Sequence, residues 1–168
     1  MSKFSLRYFC ILVLFLSFLS FDNAIASASL PKEKKTAEAA AFDFTLDTVG
    51  GKTASLKDAN GKSAMLFFFT TWCPYCRQKF PSLSKDYDTF RSEGIELFVI
   101  DAGESQAKVS SFLSKVNPPF DVLLDKSTAV SEAYGVIGVP TFVLISKSGN
   151  IVYEGNDLPG DYKELLNK

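Results

Sequence analysis

Two cysteines stand two residues apart in the run Trp72-Cys73-Pro74-Tyr75-Cys76. That spacing suits thiol-disulfide exchange, in which one thiolate attacks a foreign disulfide and its neighbour resolves the mixed disulfide. The pair falls where an apolar run ends and a helical pattern begins. Unpaired N–H groups and the macrodipole at a helix N-terminus favour an anion, so a thiolate at Cys73 is stabilised there. Cys76, one turn into the helix, faces inward and is the expected resolving sulfur. Pro74 suits the first helical turn because the N–H it lacks has no partner to lose. Trp72 is expected to cover the site as an apolar lid.

Other uses of the pair are less well served by the residues. A disulfide across so short a loop constrains the unfolded chain little, so the pair is a poor structural staple. A zinc site needs about four ligands, and the chain has one CxxC and no histidine. No metal is expected, and a metal-delivery or redox-sensing module is an alternative that a copper or zinc titration would separate. Thr70 lies three residues before Cys73, a spacing similar to that of peroxiredoxin nucleophiles, which makes a thiol peroxidase the alternative among enzymes. Against it, Leu66 stands where peroxiredoxins carry a proline, and peroxiredoxins do not usually place a second cysteine two residues on.

The elements that must hold the cysteines can be read from periodicity. Phe42, Phe44 and Leu46 alternate with polar residues and lead through Val49-Gly50-Gly51-Lys52 to Ala54-Ser55-Leu56, an edge hairpin. Asp58 to Gly61 is a turn. Met65 to Phe69 is a continuous apolar run, predicting a strand buried on both faces. Cys76, Phe80, Leu83, Tyr87 and Phe90 recur at helical spacing, predicting an amphipathic helix from Cys73 to about Ser92 with Pro81 kinking it. Further strands are expected at Ile95–Ile100, Phe120–Leu124 and Phe142–Ile145, the last in a hairpin with Ile151–Tyr153. Helices are expected at Gln106–Lys115, Thr128–Tyr134 and Asp161–Asn167. This order predicts an α/β fold with a mixed sheet, and it excludes sandwiches and bundles.

The chain begins with Lys3 and Arg7, continues through an apolar run from Tyr8 to Phe21 and reaches Ala24-Ile25-Ala26. This is a signal-peptide pattern over residues 1–26, cut after Ala26, and the run falls short of the roughly 20 residues of a spanning helix. An uncleaved signal would act as an anchor. Residues 27–41 are rich in Lys, Glu, Ala and Ser and read as a flexible linker; the folded domain is expected over 42–168. Removing Lys3, Arg7 and Asp22 with the signal leaves 16 basic and 18 acidic residues, which offers no footprint for nucleic acid.

The segments Phe69-Thr70-Thr71-Trp72-Cys73-Pro74-Tyr75-Cys76, Phe80-Pro81 and Tyr134-Gly135-Val136-Ile137-Gly138-Val139-Pro140-Thr141-Phe142 together resemble the TlpA/ResA branch of the thioredoxin superfamily. The likeness spans about Phe42 to the C-terminus. It implies a thioredoxin-like fold: a central mixed sheet flanked by helices, with an N-terminal β-hairpin extension. It also implies a cis peptide before Pro140 and a Val139 backbone that receives an extended substrate, with Trp72, Pro74 and Tyr75 completing the substrate surface. Two departures stand out. The buried aspartate of thioredoxin is matched by Phe67, and the glutamate three residues after the second cysteine in ResA-type reductases is matched by Lys79. The familiar carboxylates are therefore missing. Lys79 is either a surface lysine lying along the helix or a charge that stabilises thiolate and makes the disulfide more oxidising. Pro74-Tyr75 matches glutaredoxin, but Trp72 and the hairpin insertion fit the exported reductases better.

The expected activity is that of a protein-disulfide reductase with a redox-active Cys73–Cys76 disulfide and no bound cofactor. It would act on protein thiols and disulfides in the periplasm or another extracytoplasmic space, as a monomer recharged by a membrane or periplasmic partner. Cytochrome c maturation is the process that the resemblance suggests.

Overall fold

The computed structural model describes residues 39–59 and 61–167. The expected signal peptide and most of the expected linker lie outside them. No helix among the described residues is long and apolar enough to cross a membrane.

Among the described residues seven strands form one sheet. In chain order the elements are β1 (Thr45–Thr48), β2 (Thr53–Ser55), a 3-10 turn (Leu56–Ala59), β3 (Ser63–Phe69), α1 (Pro74–Ser92), β4 (Ile95–Ala102), α2 (Gln106–Val116), β5 (Val122–Asp125), α3 (Ala129–Ala133), β6 (Thr141–Ile145), β7 (Ile151–Gly155) and α4 (Tyr162–Leu166). The strand order is β2-β1-β5-β4-β3-β6-β7. β3 is parallel to β4 and antiparallel to β6, so both its edges are paired and both its faces covered. All seven of its residues are buried, as its unbroken apolar sequence requires.

The helices divide by connection. From β3 to β4 to β5 the chain steps the same way across the sheet, and right-handed crossovers then put α1 and α2 on one face. Their Cys76, Phe80, Leu83, Phe90 and Val109 pack there with Phe67 and Phe69, and Leu165 and Leu166 of α4 join them. From β5 the chain returns past β4 and β3 to form β6, so α3 covers the opposite face, where Tyr134 meets Phe44, Phe68 and Phe98. Phe80 anchors α1, with its ring against Phe67, Phe69, Phe112 and Phe120.

The elements agree with the sequence reading to within a few residues, with three local differences. Pairing begins before Phe42: Ala41 N–H donates to Gly149 O and Ile151 N–H to Ala39 O, so the turn between β6 and β7 captures the chain three residues early. Asp58 belongs to a 3-10 turn that precedes the expected bend at Gly61, and its carboxylate accepts from Ser55 N–H. β5 starts at Val122, two residues late, because Phe120 is spent in the core beneath α1. Pro81 sits inside α1, which runs unbroken from Pro74 to Ser92.

Candidate active site

β3 delivers the chain at Phe69 to the sheet's end, and Thr70, Thr71 and Trp72 carry it to Cys73, the N-cap of α1. The cap has extended backbone (φ −74°, ψ 113°), and its sulfur accepts the Cys76 N–H at 3.2 Å. An amide left unpaired by the helix start is thus aimed at the sulfur, the arrangement that stabilises an anion there. Cys73 is further fixed by its own N–H to Thr70 O at 3.3 Å and by its thiol, which donates to Val139 O at 3.6 Å. Both thiols are free. Cys76 is fully buried against Phe67, Phe69 and Phe80 on the core side of α1. Burial, with a smaller push from its hydrogen bond to Cys73, raises the Cys76 thiol to about 12, while the Thr70 backbone pulls it weakly the other way. Cys76 therefore holds its proton at neutral pH.

Around the sulfurs the structure gathers most of the residues singled out in the sequence. The Val139–Pro140 peptide is cis, and Asn156 Nδ2 donates to Pro140 O at 2.9 Å from the end of β7. Tyr75, Val139 and Pro140 line a hollow of about 360 Å³ with Gln78 and Asp157. Trp72, expected as a lid, is 70% exposed and Tyr75 68%, so most of both rings faces solvent. Ile137, not singled out, stands fully exposed on the loop that leads to Pro140. Three large apolar side chains thus stand exposed on the segments that carry Cys73 and Pro140. Lys79 also lines the hollow, with its ammonium paired to Asp157 across it.

The carboxylates absent from their usual positions have counterparts at the end of β4. Val99 faces the cysteine side of the sheet, so Asp101, two residues on, points the same way. Asp101 lies opposite Phe69 in the β3–β4 register and is fully buried. Its Oδ1 accepts the Glu104 N–H at 2.9 Å, while its Oδ2 has no partner among the described residues. Burial, with smaller contributions from the neighbouring Glu104, pushes Asp101 up to about 7. Glu104 is also buried and accepts from Thr71 N–H and Thr71 Oγ1. Thr70 Oγ1 is likewise buried without a partner among the described residues. The signal for this pair was present: two acids three residues apart close an apolar strand that runs parallel to the one delivering the cysteines, and such strands end on the same side of the sheet. Among the described residues no three of His, Cys, Asp and Glu converge as metal ligands.

Residues 37–154 match the model of the AhpC/TSA family. The chain is 36% identical over 121 residues to the thiol-disulfide oxidoreductase ResA of Bacillus subtilis, covering 72% of this chain and 68% of the relative. A secreted Mycobacterium tuberculosis disulfide oxidoreductase homologous to Escherichia coli DsbE superposes with a TM-score of 0.61 at 29% identity, over 73% of this chain and 91% of that one. A thiol:disulfide interchange protein of the thioredoxin family from Chlorobium tepidum gives a TM-score of 0.67 at 25% identity, over 77% and 94%. By sequence and by fold alike, the chain belongs to the AhpC/TSA family and groups there with the thioredoxin-like thiol-disulfide oxidoreductases of the ResA kind.

Proposed function

We propose that this protein reduces disulfides in extracytoplasmic proteins by cycling Cys73 and Cys76 between dithiol and disulfide. The observation that carries the reading is the unequal setting of the two sulfurs: both are buried, but Cys73 caps α1 and takes an amide hydrogen bond, whereas Cys76 lies against the core and holds its proton. The Cys73 thiolate attacks one sulfur of the client disulfide, forming a mixed disulfide and expelling the other as a thiolate. Cys76 then gives up its proton, which the departing client thiolate takes. The new thiolate attacks Cys73 and expels the second client sulfur. Two electrons pass to the client, the protein is left as the Cys73–Cys76 disulfide, and an external dithiol must restore it. No bound cofactor is needed for these steps.

Trp72, Pro74, Tyr75, Val139 and Pro140 form the client surface in this reading, with the Val139 backbone beside Cys73 meeting an extended segment. The signal-like N-terminus supports a site of action outside the cytoplasm, and the resemblance to the TlpA/ResA branch suggests apocytochromes as clients. Reduction of insulin by the mature domain tests the activity, and a Cys76→Ser variant should trap clients as mixed disulfides on Cys73. The parent's failure to exchange with any dithiol, or full activity without either cysteine, would overturn it. The Thr70-to-Cys73 spacing and the unpartnered Thr70 hydroxyl carry a second reading, a thiol peroxidase. Rapid oxidation of Cys73 by hydrogen peroxide would select it.

A further inference from the structure

Next to the Val139 hollow, with Gln78 lining both, lies a groove that the reaction scheme leaves unused. It runs between α1 and α2 and comprises two adjoining hollows of about 480 Å³ and 370 Å³. Both are lined by Arg77, Phe112 and Lys115; Lys108 and Thr71 extend the first, and Pro74, next to Cys73, borders the second. The floor is apolar where Phe112 and the exposed Val116 meet it.

Its charge is unbalanced. Lys57, Lys62, Lys79, Lys126 and Lys163 each have a carboxylate within 4 Å. Arg77, Lys108 and Lys115 have no ion-pair partner among the described residues, although the chain as a whole carries a formal charge of −1. Lys52, Lys85, Arg91 and Lys147 have none either, but Arg77, Lys108 and Lys115 line one hollow together. The nearby acid, Glu104, is turned inward onto Thr71. Three free cations over an apolar floor, beside the attacking sulfur, are complementary to an acidic peptide.

We propose that this groove binds acidic side chains flanking the client's cysteine, so that the protein selects clients whose disulfides lie in acidic segments. The inference rests on Cys73 as the attacking sulfur. Arg77 stands one turn beyond it, about 6 Å along the helix axis. An extended client advances about 3.3 Å per residue, so acids two to four residues from its cysteine reach the groove.

The test compares two disulfide peptides that are identical except for Glu or Lys at those positions. The expected result is a five- to tenfold higher kcat/KM for the acidic peptide in low salt, a ratio that collapses in 0.5 M salt. In an Arg77→Glu/Lys115→Glu variant the ratio should invert. The ratio is the readout, so a general loss of rate in the variant does not disguise the answer. Anisotropy measures binding without redox chemistry: serine-substituted versions of both peptides are titrated onto a Cys73→Ser/Cys76→Ser protein, which should prefer the acidic one. A protein inert toward every disulfide that still shows this preference would sink the redox reading and keep the groove. Equal binding of the two peptides, or a preference untouched by charge reversal, overturns the groove. So does charge-dependent binding to phosphatidylserine vesicles without peptide preference, which would make it a lipid-headgroup site.

Discussion

Glu104 accepts two hydrogen bonds from Thr71, one from its amide at 2.5 Å and one from its hydroxyl at 3.0 Å. This ties the end of β4 to the residue two before Cys73. Asp101 lies behind the clamp and holds Glu104 by its amide. The approach to Cys73 is therefore fixed by a buried acid pair as well as by the packing of α1.

Replacing Glu104 by Ala removes an acceptor that Thr71 uses twice. Hydrogen bonds to a charged group contribute about 1.5–3 kcal/mol each, but half-exposed Thr71 can turn to water. The expected net loss is about 2 kcal/mol in urea unfolding, with insulin reduction slowed about tenfold as Trp72 and Cys73 lose their register. Glu104→Gln keeps a carbonyl acceptor and should recover much of both. An alanine variant with the parent's unfolding midpoint and rate would show that the clamp does not matter.

Asp101 gives a pH dependence of definite sign. Its carboxyl titrates near 4 in the unfolded chain and is pushed up to about 7 in the folded one. Below pH 4 both states hold the proton. Between pH 4 and 7 the unfolded chain releases it first, so this group's contribution to stability falls as pH rises, by at most about 1.4 kcal/mol per pH unit. Asp101→Asn keeps the acceptor for Glu104 N–H and removes the titration. Subtracting the two stability curves should therefore give a variant that gains on the parent from pH 4 to 7 and holds that gain above. Parallel curves would refute the assignment.

What was legible in the sequence follows from where the information is local. The buried run Met65–Phe69 and the helical spacing from Cys76 to Phe90 each declare an element by pattern alone. Cys73 and Cys76 declare their chemistry by spacing. Asp101 and Glu104 did not stand out, because their role depends on β4 lying beside β3 in a register that puts Asp101 opposite Phe69. The groove cations were hidden for the same reason: Arg77 and Lys115 are 38 positions apart and meet only when α1 and α2 pack on one face.

The raised Cys76 thiol predicts unequal reactivity. Both sulfurs are buried, but at pH 7.5 Cys76 remains protonated while Cys73 takes an amide hydrogen bond at the helix start, so brief treatment of the reduced protein with iodoacetamide should add one label, on Cys73. Peptide mapping by mass spectrometry reads the position. Denaturation before labelling should add the second label. Comparable labelling of both sulfurs in the folded protein would contradict the protonated, sheltered resolver on which the exchange scheme depends.

Lys79 permits a test of charge at the site. One turn beyond Cys76, its ammonium would favour a thiolate if it stood alone, but Asp157 pairs with it and offsets its field. Removing Asp157 alone, as Asp157→Asn, should therefore stabilise the reduced form and raise the reduction potential. An exposed charge contributes on the order of 0.5 kcal/mol, or about 10 mV for this two-electron couple. Lys79→Met in the parent should move the potential less than the same change made in the Asp157→Asn background, because there the lysine is released from its ion pair and can approach the sulfurs. The difference between those two shifts isolates the pair from either side chain's separate effects. Equal shifts in both backgrounds would mean that Asp157 does not mask Lys79, and no shift in either would leave Lys79 a surface lysine without influence on the sulfurs.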